Sequence, residues 1–271
     1  MSGRLYLCPT PIGNLEDITL RVLKVLKEVD IIAAEDTRQT LKLLNHYDIK
    51  KTVVSYHEHN KASRGEKLLI DLKAGKNVAL VTDAGTPGIS DPGEDLVKLC
   101  LEDKINVVSL PGATAITTAL VGSGLDTKKF VFLGFLPTKK SERESALDEI
   151  GREKRTVIIY EAPHRIVRTL EELKPYIEGR KVVIARELTK VHEEYIRGTV
   201  DEVLLKLGDD VKGEIVVLIE GGKNQVAMEP KELLRKYIEC GMDKKEAIKL
   251  TAKQLKIPKS EIYKLALKDE S

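Results

Sequence analysis

The sequence has little aromatic content: no tryptophan and only three phenylalanines in 271 residues. Its cores must be built from aliphatic side chains, and a hydrophobic share of 42% is enough to build them, which excludes a disordered chain. Cysteine is scarce and odd in number. Cys8, Cys100 and Cys240 stand far apart, which leaves no disulfide framework and no C-x-x-C metal pair and suits reduced thiols in the cytoplasm. No apolar run approaches the roughly 20 residues of a membrane span. The opening "MSGRLYLCPTPIGN" meets Pro and Gly before a signal-peptide core develops. No sign of charge dominates, the formal net charge being +2. Residues 229–271, however, hold eleven Lys or Arg against eight Asp or Glu, a net of +3, so the other 228 residues sum to −1. A nearly neutral body with a basic tail points to a polyanion met through the tail. Two nucleotide fingerprints are also missing. There is no G-x-G-x-x-G after a strand and no G-x-x-x-x-G-K-[ST], so neither a standard NAD site nor a P-loop is supported.

What is present is order. Short β-rich runs at 4–8, 30–35, 52–56, 77–82 and 105–110 alternate with helical spacings such as Val22/Leu26/Val29, Leu41/Leu44 and Leu68/Leu72. This β-α-β-α alternation predicts a mostly parallel sheet covered by helices. "VGSGLDTKK" at 121–129 breaks the pattern and is the candidate linker. A second α/β set follows, with strands near 130–135, 156–160, 181–186, 194–199 and 214–221. A further break at 221–230 precedes a wholly helical tail. The predicted organisation is an α/β lobe at 1–121, a second at 129–221, and a small helix-turn-helix-like module at 229–271.

The unusual residues of the first half follow its strands: "PTPIGN", "EDTR", "HEHN", "DAGTPGISDPG" and "PGATA". In a parallel sheet these loops share the carboxyl edge, where open α/β sheets bind ligands. In the longest, Asp91-Pro92-Gly93-Glu94 reads as a capped helix start with a capping-box-like pair. The eight residues before it exceed what a strand-to-helix connection needs. Gly85 and Gly88 there permit backbone conformations and close approaches that side chains block. Such an edge without a phosphate motif suggests a small cofactor lacking a polyphosphate.

Six motifs occur in order: "PTPIGNLEDIT" (9–19), "AAEDTR" (33–38), "DAGTPGISDPG" (83–93), "LPGATA" (110–115), "YEAPHR" (160–165) and "ARELTKVHEE" (185–194). Together they resemble the tetrapyrrole-methylase superfamily of S-adenosylmethionine enzymes. Within it they resemble the branch that methylates the ribose 2′-hydroxyl of cytidine 1402 in 16S rRNA of the small ribosomal subunit. The resemblance spans the chain and implies two α/β lobes with S-adenosylmethionine in the cleft between them, in a homodimer. By position it assigns the cofactor to Pro11 and Gly13, to Gly85, Thr86, Pro87, Ile89 and Ser90, and to Ala113, Thr114 and Ala115. From the second lobe it adds Tyr160, Glu161, Leu188, Gly213, Glu214 and Ile215. Thr86 stands where most of the superfamily has the Asp of Gly-Asp-Pro, which argues against a porphyrin-type substrate.

Methyl transfer from a sulfonium is a direct displacement that needs alignment and no metal. A base helps deprotonate the hydroxyl. The candidates are Glu35, Asp36, Glu187 and Lys190, with helix capping the plain alternative for Asp36. Arg38, Arg165 and Arg186 in the motif loops are expected to hold phosphates, with His57 and His164 on the substrate side. "HEHN" lacks Cys pairs or an H-E-x-x-H helix, so no metal is expected. In the tail, Lys249, Lys253 and Lys259 supply positive surface for RNA docking. Two other readings remain open: a tetrapyrrole-like small-molecule substrate, and a non-catalytic ribosome-assembly factor. Neither membrane nor DNA is an expected partner.

Overall fold

In a computed structural model of the chain, residues 2–208, 211–222, 230–239, 242–255 and 257–267 are described. The chain divides into two compact units, Met1–Gly221 and Gly222–Ser271.

The first unit opens with five β-α pairs: β1 (Arg4–Leu7), α1 (Leu20–Glu28), β2 (Ile31–Ala34), α2 (Thr37–His46), β3 (Thr52–Ser55), α3 (Lys61–Lys73), β4 (Val78–Val81), α4 (Gly93–Glu102), β5 (Asn106–Ser109) and α5 (Ala115–Ser123). The strands form one sheet in the order β3-β2-β4-β1-β5, every pair parallel. β2 and β4 are buried along their whole length, as continuous apolar runs covered on both faces must be. Leu68, Leu72, Leu96 and Cys100 of α3 and α4 pack on one face. Val22, Val25, Leu26 and Leu44 of α1 and α2 pack on the other. The strand order has a consequence for function. β4 lies between β2 and β1, so the long loop after β4 emerges between the loops that follow those two strands.

The second half carries β6 (Phe130–Phe135), α6 (Lys140–Arg152), β7 (Thr156–Glu161), α7 (Ile166–Leu173), β8 (Val182–Arg186), β9 (Glu194–Gly198), α8 (Val200–Leu207) and β10 (Ile215–Ile219). Its sheet runs β6-β7-β10-β8-β9. β6 and β7 are parallel, and the other three pairings are antiparallel. α6, α7 and α8 cover one face. The other face is covered by the first half itself: Ile12 and α5 residues Ile116, Ala119 and Leu120 pack on Ile158, Val183, Leu188 and Leu218. α5 therefore runs through the first three residues of the predicted linker and stops at Gly124, whose φ of +79° is left-handed. The reason is burial: Ala119, Leu120 and Ser123 lie against the second sheet rather than in a surface connection.

Among its described residues the second unit is three helices, α9 (Pro230–Glu239), α10 (Lys244–Leu255) and α11 (Lys259–Leu267). Leu234, Ala247, Ile248, Ala252 and Ile262 form its core. Among the described residues no helix is long and apolar enough to cross a membrane.

One buried ion pair braces the second sheet's helices. Arg143 on α6 is 7% exposed, and its Nε lies 2.5 Å from Glu172. Its Nη2 donates to Thr169 Oγ1 at 2.7 Å, and that hydroxyl donates to Glu161 Oε2 at 2.7 Å. Removing the cation takes the donor from the buried Thr169 hydroxyl and leaves Glu172 with Arg168 as its remaining cation, a loss that costs about 2 kcal/mol. Arg143→Ala should lower the urea-unfolding free energy by that order. A loss below about 1 kcal/mol would show that the network contributes little.

Candidate active site

The loop after β4 is tied to both neighbouring loops. Towards β1, Thr10 and Gly85 exchange backbone hydrogen bonds at 2.9 and 3.1 Å. Towards β2, Thr82 Oγ1 donates to Glu35 Oε2 at 2.7 Å, and the Asp36 N–H donates to Asp83 Oδ1 at 3.0 Å. Gly85 has φ +83°, a conformation other side chains adopt only with strain. Thr86 Oγ1 donates to the Ala113 carbonyl at 3.0 Å, which attaches the loop after β5.

Asp91 works differently from the capping-box reading. Its carboxylate accepts from the N–H groups of Gly88 (2.9 and 2.8 Å), Ile89 (3.2 Å) and Gly93 (2.8 Å). The cap of α4 is Pro92, which makes no side-chain bond, and Glu94 pairs with Lys98 at 2.6 Å. Two of the three donors, Gly88 and Ile89, come from the loop and the third, Gly93, opens α4, so the carboxylate ties the loop to the start of the helix.

These loops and the ends of β7, β8 and β10 enclose a cleft of about 440 Å³. Twelve of the residues assigned to the cofactor by resemblance line it: Gly85, Thr86, Ile89, Ser90, Thr114, Ala115, Tyr160, Glu161, Leu188, Gly213, Glu214 and Ile215. Pro11, Gly13, Pro87 and Ala113 are not in that lining. Gly13 faces the β8–β9 loop, where a Cβ would lie 2.7 Å from the Leu188 carbonyl oxygen.

The proposed catalytic set is divided. Glu35 lines the cleft. Asp36 lies outside the lining and caps α2, its carboxylate accepting from the Arg38 N–H at 2.8 Å and from the guanidinium at 3.1 and 2.7 Å. The guanidinium bond holds the Asp36 carboxyl down at about 2. Glu187 and Lys190 form a clasp behind the wall, with Lys190 Nζ 2.8 Å from Glu187 and 3.1 Å from Glu214. Lys190 and then the Glu214 N–H hold the Glu187 carboxyl low. Burial alone would pull the Lys190 ammonium down, but the two carboxylates outweigh it and raise it.

The arginines have partners of their own. Arg38 is exposed and bonded to Asp36. Arg165 Nε lies 3.2 Å from Glu161, and its Nη2 donates to the Leu136 carbonyl at 3.0 Å. Arg186 bonds Glu194 at 2.6 Å. Asn60 holds His57, accepting from its backbone N–H at 2.9 Å, while His164 is exposed. On the tail, Lys249 and Lys259 are exposed, and the side chain of Lys253 lies outside the described residues.

The sequence reading gave no role to Asp83 or Phe135, both of which line the cleft. Asp83 opens to solvent at the mouth. The surrounding walls still strip enough water to push its carboxyl up, and the Glu35 charge pushes it further. A signal for Asp83 was its place directly after a wholly buried strand; Phe135 carried only a glycine beside it.

Among the described residues the lining holds five carboxylates, those of Glu35, Asp83, Asp91, Glu161 and Glu214, and no Lys, Arg or His. That charge repels a polyphosphate and favours a nucleoside bearing a positive sulfonium. A cleft of this size and charge fits S-adenosylmethionine, and comparison with known proteins places the chain among the methyltransferases that use it. Residues 4–204 match the Tetrapyrrole (Corrin/Porphyrin) Methylases, and the chain belongs to that family, with S-adenosylmethionine as its cofactor.

Its relatives include a Halalkalibacterium halodurans protein named Ribosomal RNA small subunit methyltransferase I. The two are 47% identical over 272 residues, covering 97% of this chain and 94% of the relative. A Bacillus subtilis protein of the same name is 47% identical over 271 residues, covering 96% and 93%. Among solved structures, uroporphyrin-III C-methyl transferase from Thermus thermophilus, complexed with S-adenyl homocysteine, shares the fold. Its TM-score is 0.57 at 19% identity, covering 80% of this chain and 97% of that one.

The Asp36–Arg38 bond sets a pH dependence. Asp36 has a depressed folded pKa, so its contribution to stability is present above the ordinary aspartate range and is lost as pH falls through about 2. By carboxyl NMR, Asp36 should titrate near 2 in the wild type and move up towards the ordinary range in Arg38→Ala. An unmoved midpoint would show that the guanidinium is not its partner in solution.

Proposed function

We propose that this chain transfers a methyl group from S-adenosylmethionine to the ribose 2′-hydroxyl of a cytidine, position 1402 of 16S rRNA, in the small ribosomal subunit. The observation that carries the reading is the cation-free, carboxylate-lined cleft in a chain 47% identical, nearly end to end, to proteins named for small-subunit rRNA methylation. The reading puts the enzyme in the cytoplasm as a homodimer.

The cofactor supplies an electrophilic methyl on a positive sulfur. The chain's residues orient it and receive the proton. The Gly85–Ser90 loop and Thr114–Ala115 form one wall; Tyr160, Leu188 and Gly213–Ile215 form the other. Held between them, the reacting atoms need only come into line, so positioning does most of the work. Of the carboxylates, Asp36 is a poor base because Arg38 holds its proton affinity low. Glu35 and Asp83 remain at the cleft. Asp83, with its carboxyl pushed up and fixed by the Asp36 N–H, suits acceptance of the hydroxyl proton. Thr86 commits its hydroxyl to Ala113, so the position offers no carboxylate for a pyrrole. The tail is proposed as a docking module whose exposed lysines, Lys249 and Lys259 among them, meet RNA phosphates.

The decisive experiment follows tritium from labelled S-adenosylmethionine into unmethylated small subunits, protein-free 16S rRNA and a tetrapyrrole precursor. Incorporation at the cytidine ribose of subunit rRNA is expected. Label in the tetrapyrrole with none in rRNA would overturn the reading. Chain ended at Gly222 should bind S-adenosylmethionine as the whole protein does, but bind subunits more weakly and with a shallower salt slope. Equal salt slopes would remove the tail from docking.

The cofactor wall has its own check. Gly85→Val puts a branched side chain at φ +83°, where even a Cβ comes 3.3 Å from Ile12. In a folded variant, calorimetric affinity for S-adenosylmethionine should fall about ten-fold or more. Unchanged affinity would dissociate the loop from the cofactor.

A further inference from the structure

β6 ends with an aromatic ring turned the wrong way for its strand. Alternation along a regular strand puts residues 131, 133 and 135 on one face. Val131 and Leu133 do pack with the core under α6 and α7, while Phe132 packs on the opposite face with α5 and Tyr160. Phe135 should therefore lie with Val131 and Leu133. It does not, because the β6–β7 register slips between Phe132, opposite Ile158, and Phe135, opposite Tyr160. One extra residue is taken up there. Gly134 adopts φ +67° within this stretch, a conformation that favours glycine. The slip carries Phe135 to the face of Phe132 and into the lining of the cleft.

The ring lies 5.5 Å from that of Tyr160 at 59°, and Tyr160 also packs edge-on with Phe132 at 4.8 Å. Phe135 nonetheless remains 55% exposed, in a chain with only three phenylalanines and no tryptophan. A bulge that moves a large apolar ring from a core-facing register to a wet cleft mouth sacrifices burial, and a flat partner would recover it. Ser90 of the cofactor loop is the neighbour of Gly134, so the ring stands at the edge of the methyl-transfer cleft.

We propose that Phe135 is the stacking platform for an unpaired nucleobase of the RNA substrate, holding the target nucleotide splayed out so that its ribose reaches the cleft. The inference rests on RNA being the substrate. A ribose hydroxyl inside a stacked strand is hard to bring into line with a buried methyl, and single-stranded RNA is held by stacking unstacked bases on aromatic side chains. A ring packed against Tyr160 and still 55% exposed provides that surface without reading sequence.

The test compares Phe135→Ala, Phe135→Leu and Phe135→Tyr with wild type. Each is assayed for tritium transfer to unmethylated small subunits at saturating S-adenosylmethionine, and for S-adenosylmethionine affinity by calorimetry. Losing the stack should raise KM for subunits about ten-fold in the Ala and Leu variants, with Tyr close to wild type and cofactor affinity unchanged in all three. Wild-type KM in Phe135→Ala, full rescue by Leu, or a parallel loss of cofactor affinity would each overturn the assignment. The last would make the ring part of the adenosyl site. Failure of the RNA reading is distinguishable, because wild type itself would then label no subunits.

Discussion

The two sheets come together across a residue with no side chain. A Cβ on Gly13 would stand 2.7 Å from the Leu188 carbonyl oxygen, 2.7 Å from Thr189 Oγ1 and 2.5 Å from Lys190 Cγ. The carbonyl is backbone and cannot swing aside, so any larger residue would force the loop after β1 away from the β8–β9 loop. The neighbouring Asn14 N–H uses this proximity to donate to Thr189 Oγ1 at 3.0 Å. Everything on the far wall depends on that approach. Thr189 and Glu187 themselves adopt left-handed φ of +67° and +50°, and the Glu187–Lys190–Glu214 clasp then fixes Leu188 and Glu214 at the cleft surface. Gly13 thus sets how closely the two walls of the cleft stand.

The sheet order explains why the near wall is built from three loops acting together. A loop at the centre of a parallel sheet has a neighbour on each side. The β4 loop bonds Thr10 on one and reaches Glu35 and Asp36 on the other. Asp91 then neutralises the backbone donors of the same loop from inside. No basic side chain is needed to hold the turn, which is why its surface can stay free of cations.

Much of this was legible along the chain. Of the ten described strands, nine fall within the runs that announced them and β7 passes its run by one residue, Glu161. Central strands buried on both faces read as unbroken Val, Ile, Leu and Ala. The loops of odd composition marked the cleft for the same reason: backbone that departs from regular structure needs Gly, Pro and Asp. Pairing was less visible. The antiparallel pairings of β10 with β7 and β8 depend on contacts between distant segments, and apolar runs do not state direction. Partners of arginines were hidden in register. Arg186 faces Glu194 directly across the β8–β9 pair, and Arg165 finds Glu161 four residues back, across the turn between β7 and α7. Phe135 was hidden by the strongest rule of all, strict alternation, which a single left-handed glycine overturns.

The charges of the cleft also suit the direction of the reaction. Three of its five carboxylates are answered locally: Asp91 by backbone N–H groups, Glu161 by Thr169 and Arg165, Glu214 by Lys190. Glu35 and Asp83 have only a hydroxyl and an N–H, neither of which cancels a full charge. The near wall therefore keeps a net negative potential, which suits a cofactor whose sulfur carries a positive charge. Transfer of the methyl turns that sulfonium into a neutral thioether and removes the attraction, so the same carboxylates that favour entry of the reactant favour release of the product. A phosphate-binding cleft would do the reverse and would hold RNA and cofactor by the same charges. Among the described residues the lining carries no cation, so the charge that suits a sulfonium is not shared with a phosphate site.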